Sequence, residues 1–284
     1  MIDFTLEEEV LNCYLGNEVK KTIIYNNKKY LVKFPHPVGE RYLNNAYSEY
    51  VGSNIFKLCH FKVQNTILGL YYFHDKKKIV CACEDFLGDE YILQEFKSLT
   101  MSINMDKKID TELDDIVEIL KQLEENFQVN IMNRFFDMFI IDAFIGNTDR
   151  HNGNWGFIIN KNTKDFDFAP IYDNGSCLNP LLEDKELESL SEDELKNISY
   201  NTYSCLKIEN KKIHYFELIK SMSNNECNKA LIRIFPRINL NMITQFIDNI
   251  EGMSEVRKKF YIDVLNYRYK VLESVYHKLK EALS

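Results

Sequence analysis

The sequence predicts an α+β fold in two lobes. A β-rich N-terminal lobe spans residues 1–84, and a helical C-terminal lobe spans residues 85–284 with a β-hairpin near its middle. Three observations predict it. Short apolar runs broken by polar turns fill the stretch from Leu11 to Ile92, as strands do. From Thr111 onward, Leu113, Ile116, Val117, Leu120, Leu123 and Phe127 recur at i, i+3, i+4, i+7 spacing, as a helix requires. Between Ile141 and Gly175 an apolar helix, a polar loop, two strand-like runs and a second polar loop follow one another.

Taken in order, Cys13 to Ile24 reads as a first hairpin around Gly16 and Asn17, and Asn26-Asn27-Lys28-Lys29 as a turn. Tyr30-Leu31-Val32-Lys33-Phe34 is a strand ended by Pro35 and Pro37. Asn45 to Leu58 is helical, with Ala46, Tyr50, Ile55 and Leu58 as its apolar positions. Val63 to Phe73 and Ile79 to Cys83 form an antiparallel pair around a solvated turn at His74 to Lys78. The composition shift at Glu84-Asp85-Phe86-Leu87-Gly88-Asp89 marks a hinge between the lobes. Ile131 to Ile145 is apolar on nearly every side, which predicts a central buried helix. The acidic run 183–194 reads as an exposed loop or short helix, where Ser189 and Ser191 are polar cover. The segments 215–221, 229–235, 242–250 and 254–283 read as helices.

The composition excludes several classes. A formal charge of −8 gives no general attraction to polyanions, so direct nucleic-acid binding is not expected. No apolar run approaches the ~20 residues of a membrane span, and the acidic N-terminus does not read as a signal peptide. The seven cysteines are odd in number and scattered, so they read as free thiols of a reducing cytosol. Localisation is therefore read as cytoplasmic, with secretion or delivery to a host cell left open. No G-x-x-x-x-G-K-[ST] occurs, which disfavours a Walker-type nucleotide site.

The chemistry concentrates in two loops: Asn147-Thr148-Asp149-Arg150-His151-Asn152-Gly153-Asn154 and Tyr172-Asp173-Asn174-Gly175. Phosphoryl transfer needs a carboxylate to orient the attacking hydroxyl and hard oxygens to hold magnesium on the phosphates. Asp149 suits the first role, Asn154 and Asp173 the second. Lys33 inside an apolar strand needs an anionic partner, and Glu49 on the following helix can reach it. Each loop alone is a common turn pattern; together, with Lys33 and Glu49 upstream, they specify a kinase. Only Gly16 and Asn17 stand where a phosphate-cradling loop would spend several glycines, though Lys20 and Lys21 could supply charge. Arg150 pairs with an acid or meets phosphate. His151 reads as a structural residue packed beneath its loop.

Ile145 to Phe157, with Ala169 to Ser176, resembles the catalytic core of HipA-like kinases, nearest to their compact CtkA-type branch. Tyr30 to Pro35 and Ser48-Glu49-Tyr50 are similar to that branch as well. The resemblance implies a bilobal protein-kinase-like fold that binds ATP under the hinge near Cys83 to Phe86. It implies Asp149 as catalytic base, Asn154 and Asp173 on Mg2+, and Lys33 on phosphate. Glu49, Gly16, Asn17, Glu84, Phe86 and His151 complete the nucleotide-binding set. The expected partner is a protein substrate with a Ser or Thr acceptor, the chain itself included, with an antitoxin-type or regulatory protein left open. The branch usually has more glycines near Gly16. Asp149-Arg150-His151-x-x-Asn154 also looks like the catalytic loop of phosphoinositide kinases. A lipid or small-molecule acceptor, or a non-catalytic nucleotide-binding module, therefore stands as the alternative.

Overall fold

The computed structural model describes residues 1–11, 20–39, 41–73, 76–103, 111–127 and 130–283. The expected loop at Gly16 and Asn17, with Cys13 and His74, lies outside them. The first part of the chain is β1 (Ile2–Asp3), β2 (Glu8–Val10), β3 (Lys20–Tyr25), β4 (Lys28–Lys33), β5 (Pro37–Val38), β6 (Arg41–Tyr42), α1 (Asn45–Leu58), β7 (Thr66–Phe73) and β8 (Lys76–Glu84). One sheet takes the order β1-β7-β8-β4-β3-β2, antiparallel except where β1 joins β7.

Strand periodicity sorts this sheet's side chains onto two faces. Tyr30 and Val32 of β4 and Val80 and Ala82 of β8 pack with Phe4 and Ile23 in a small core on one face. Cys81 and Cys83 of β8 meet Ala46 of α1 on the other, with Leu31 and Ile79 against them. Lys33 is in step with Leu31 and opposite Cys81, so its ammonium is delivered toward α1. The start of α1 is tied back to the strand exit: Asn45 Nδ2 donates to the Phe34 carbonyl (3.3 Å), and its Oδ1 accepts from His36 N (3.3 Å).

Beyond the hinge come β9 (Tyr91–Glu95), α2 (Phe96–Ile103), α3 (Leu113–Phe127), α4 (Ile131–Ile145), β10 (Gly156–Asn160) and β11 (Phe166–Phe168). The expected hairpin is the β10–β11 pair, and β9 adds a third strand along β10. Next are α5 (Asp184–Glu188), α6 (Glu192–Tyr200), β12 (Tyr203–Ile208), β13 (Lys211–His214), α7 (Tyr215–Ser221), α8 (Asn225–Ile234), α9 (Leu240–Asp248) and α10 (Glu255–Leu283). The acidic run is two short helices. Ser191 is the N-cap of α6, in a capping box with Glu194, so it has a structural task.

The large core is built on α4, buried along its length except at Asn133 and Arg134. It packs against α3, α8, α10 and also α1, whose Val51, Ile55 and Phe56 belong to the same apolar cluster. Helix α1 thus belongs to both lobes by packing: its first turns face the sheet and its middle faces the helical core. Among the described residues the six cysteines are free, and no helix is long and apolar enough to cross a membrane.

Candidate active site

Helix α4 ends at Gly146, which adopts φ +67°, and hands the chain to the first polar loop. Asn147 secures that handover. Its N–H donates to the Asp142 carbonyl (2.9 Å), its Nδ2 to Asp142 Oδ1 (3.1 Å), and its Oδ1 accepts from Asp149 N (3.1 Å). Tyr215 OH donates to its carbonyl (2.7 Å). The backbone carrying Asp149 is therefore fixed on both sides while the carboxylate itself is exposed.

Arg150 is buried and pairs with an acid. Its Nε and Nη2 meet the two oxygens of Asp142 at 2.9 and 3.0 Å, a bidentate pair inside the protein. The same guanidinium donates to the carbonyls of Asn154 (2.9 Å), Tyr172 and Asp173 (3.2 Å), and to Asn174 Oδ1 (2.6 Å). One side chain thus ties the end of α4 and both polar loops together. It also holds Asp173 at φ +58°, a left-handed conformation that Asp tolerates better than most residues. Loss of hydration works against this buried cation, but Asp142 outweighs it and keeps the guanidinium protonated.

Across the cleft, Lys33 Nζ sits 2.7 Å from Glu49 Oε2 and 2.8 Å from Asp173 Oδ1. The other Glu49 oxygen accepts the N–H of Asn174 (3.0 Å), and Asn174 Nδ2 donates to Ser53 Oγ (3.0 Å). Helix α1 approaches this loop so closely because residue 52 is glycine. A Cβ there would lie 2.8 Å from Asn174 Cβ and 2.9 Å from Cys177 Sγ. Burial opposes charge on Lys33, but Asp173 and Glu49 outweigh it and raise the ammonium well above its ordinary range. Burial likewise opposes charge on Asp173, but the Lys33 ammonium outweighs it and lowers the carboxyl. Asp149 goes the other way. Partial loss of hydration, partly opposed by His151 and reinforced by the charge of Asp173, raises its carboxyl.

These groups border a cleft of about 350 Å³, lined by apolar Leu31, Phe86 and Leu93 and by polar Lys33, Asn154 and Asp173. Lys20, the first residue of β3, lines it too. Asn154 Nδ2 donates to the Asp149 carbonyl (2.8 Å), which leaves its amide oxygen for the cleft. One amide oxygen and one carboxylate suit magnesium, which takes few protein ligands and completes its shell with phosphate and water.

Two of the expected nucleotide-binding residues are placed otherwise. Glu84 does not line the cleft: its carboxylate meets Lys28 (2.7 Å), and its backbone N–H and C=O bond to Asn65 and Gln64. His151 is exposed rather than packed beneath its loop, and its Nδ1 accepts the N–H of Gly153 (3.0 Å). Asp142, Asn174, Ser53 and Tyr215 were missed. A signal existed for Asp142, a carboxylate within the apolar helix 131–145 that required a buried cation nearby.

The HipA-like C-terminal domain family matches the chain over residues 16–224. The chain belongs to this family. Among HipA-like proteins it is 40% identical over 293 residues to the serine/threonine-protein kinase CtkA of Helicobacter pylori strain J99, covering 97% of this chain and 87% of the relative. The crystal structure of the H. pylori proinflammatory kinase CtkA matches at a TM-score of 0.88 and 38% identity, over 100% of this chain and 99% of that one. HipA of Shewanella oneidensis MR-1, solved with HipB and its operator DNA, has a TM-score of 0.56 at 14% identity, over 94% of this chain and 66% of its own. The fold is therefore the HipA-like kinase fold, an α+β architecture with a curled sheet and a helical lobe.

Proposed function

We propose that this HipA-like chain transfers the γ-phosphoryl group of ATP to serine or threonine hydroxyls of protein, its own included, with magnesium as cofactor. The observation that carries the reading is a single cleft bringing Lys33, Glu49, Asn154 and Asp173 together beside the fixed, exposed Asp149. The kinase name of a relative that is 40% identical over nearly the whole chain supports the same reading.

The residues divide the work. Asp149 accepts a hydrogen bond from the acceptor hydroxyl and orients its oxygen for in-line attack. Lys33, aimed by Glu49, neutralises phosphate oxygens as charge moves in the transition state. Asn154 and Asp173 would hold magnesium, which supplies further charge neutralisation on the phosphates when bound. Leu31, Phe86 and Leu93 offer the apolar surface that a purine ring needs. Glu84 is set aside, while Phe86 stays in the nucleotide site.

The test is phosphate transfer from labelled ATP with magnesium, followed by intact mass spectrometry, on wild type and Asp149→Asn. Wild type gains phosphate on Ser or Thr, and the variant loses about 10²–10⁴-fold in rate while still binding nucleotide. Equal transfer by both proteins would remove Asp149 from the mechanism. No nucleotide binding by wild type would overturn the reading.

A further inference from the structure

Arg268, in the middle of α10, is a buried cation that no step above uses. Only 1% of it is exposed. Its Nε donates to the Ser199 carbonyl (2.9 Å), Nη1 to the Phe144 carbonyl (3.3 Å) and Nη2 to Thr202 Oγ1 (3.0 Å). All three acceptors are neutral, and among the described residues no carboxylate pairs with it. Burial lowers its guanidinium to about 10, still protonated at neutral pH. Replacing buried charges by apolar side chains of similar volume is often neutral or stabilising, so packing alone does not explain a cation here.

Its position does. Phe144 lies in the last turn of α4, where unpaired carbonyls gather negative partial charge and favour a cation. The guanidinium is packed against Gly146, the left-handed residue that turns the chain out of α4. A Cβ at residue 146 would lie 2.6 Å from Cζ and would also run into both terminal nitrogens. The next residue, Asn147, accepts the Asp149 N–H on its Oδ1. The contact path from Arg268 to the catalytic backbone thus runs through Gly146 and Asn147. Because the other ends of the clamp are Ser199 and Thr202, the exit of α6 is joined to the same turn.

We propose that Arg268 is a positioning residue for Asp149: its planar guanidinium holds the Gly146 turn and so sets the backbone that presents the carboxylate. The consequence for turnover rests on the phosphotransfer reading; the positioning itself does not. Arg268 touches neither Asp149 nor the cleft lining, so its loss acts on turnover and leaves nucleotide affinity in place.

The test combines hydrogen exchange with kinetics on Arg268→Met, which keeps the volume but removes the donors and charge, and Arg268→Lys, which keeps the charge but loses the planar fork. In Arg268→Met, amide exchange over residues 146–150 accelerates at least about tenfold while residues 28–33 and 45–58 keep their rates. The turnover number falls about 10–100-fold, as expected for a reacting group displaced on the order of 1 Å, and ATP affinity stays within about twofold. Arg268→Lys recovers part of both effects. Unchanged exchange at 146–150 in a folded variant overturns the proposal, and so does equal acceleration across the whole chain, which marks a merely structural residue. If Arg268→Met does not fold, Thr202→Val removes one acceptor only. A smaller acceleration confined to 146–150 supports the proposal, and none overturns it. Should the wild type transfer no phosphate, the kinase reading fails, and the exchange rates alone still decide the positioning role.

Discussion

Lys33 shows at the scale of one residue why this cleft is built for chemistry. A lysine almost closed off from water between two carboxylates costs hydration that an apolar trio would not, and such groups rarely raise stability. What the arrangement does provide is an ammonium that stays charged and a carboxylate, Asp173, that the Lys33 charge holds ionised to lower pH than an ordinary aspartate. Asp149 is the opposite case, its carboxyl raised above the ordinary 3.8 by partial loss of hydration and the neighbouring Asp173. In the proposed mechanism Asp149 must be ionised to accept the hydroxyl proton, so activity is expected to be lost as pH falls through this raised value. Asp173, lowered by Lys33, remains charged throughout that window and does not contribute to the limb. The expected profile of kcat/KM for the protein acceptor, which reports the free enzyme, rises from acid to a plateau near neutrality. Its midpoint lies above that of an unperturbed aspartate. A midpoint at or below 3.8 would contradict the arrangement around Asp149.

Helix α1 is the element on which that chemistry turns. It carries Glu49 toward Lys33 and Ser53 toward Asn174, and it can do both because Gly52 lets it lie against the loop after Asp173. Alanine at an exposed mid-helix glycine would gain up to about 1 kcal/mol from propensity. At Gly52 the added carbon meets Asn174 Cβ at 2.8 Å and Cys177 Sγ at 2.9 Å, so crowding of about 1–3 kcal/mol decides the sign. Gly52→Ala is therefore expected to lower the melting temperature and to cut phosphotransfer, because α1 must move away from the loop bearing Asp173. A variant with unchanged melting temperature and activity would show that α1 has room the structure denies it. The boundaries of α1 and α4 were legible in the sequence because each is long and its apolar positions leave little choice of period. Strand β9 was not: its five residues, four of them half-buried and Ile92 exposed, gain their identity from pairing with β10, some sixty residues away. Nor was the β12–β13 hairpin, set among segments of helical period. At the site, the charged residues of the loops were readable from residue type and order. Asn174, Ser53 and Tyr215 were not, since each is an ordinary polar residue until the fold gives it a partner.

At the scale of the whole molecule, the large core does not stop at the hinge. It continues from α4 into Val51, Ile55 and Phe56 of α1, while the sheet keeps its own small core around Phe4 and Val32. The proposed division at residues 84 and 85 therefore separates the chain by sequence more sharply than by packing. The cleft lies where β3 and β4, the hinge, β9 and both polar loops converge, so an occupant that touches Lys33, Asn154 and Asp173 bridges the sheet and the helical lobe. Binding to the folded chain alone stabilises it by mass action, about 2.7 kcal/mol at a hundredfold excess over Kd. ATP with magnesium is expected to raise the melting temperature by several degrees, and chelating the metal to remove much of that shift. Asp173→Asn separates the contributions. Loss of its negative charge weakens the metal site while Leu31 and Phe86 remain for the base, so the nucleotide-dependent shift persists and the magnesium-dependent part shrinks. Lys33, freed from one carboxylate, stays paired with Glu49, so α1 keeps its place. A shift of equal size with and without magnesium in the wild type would mean that Asn154 and Asp173 do not hold the metal. No shift at all would mean that the convergence of lobes at this cleft serves another ligand.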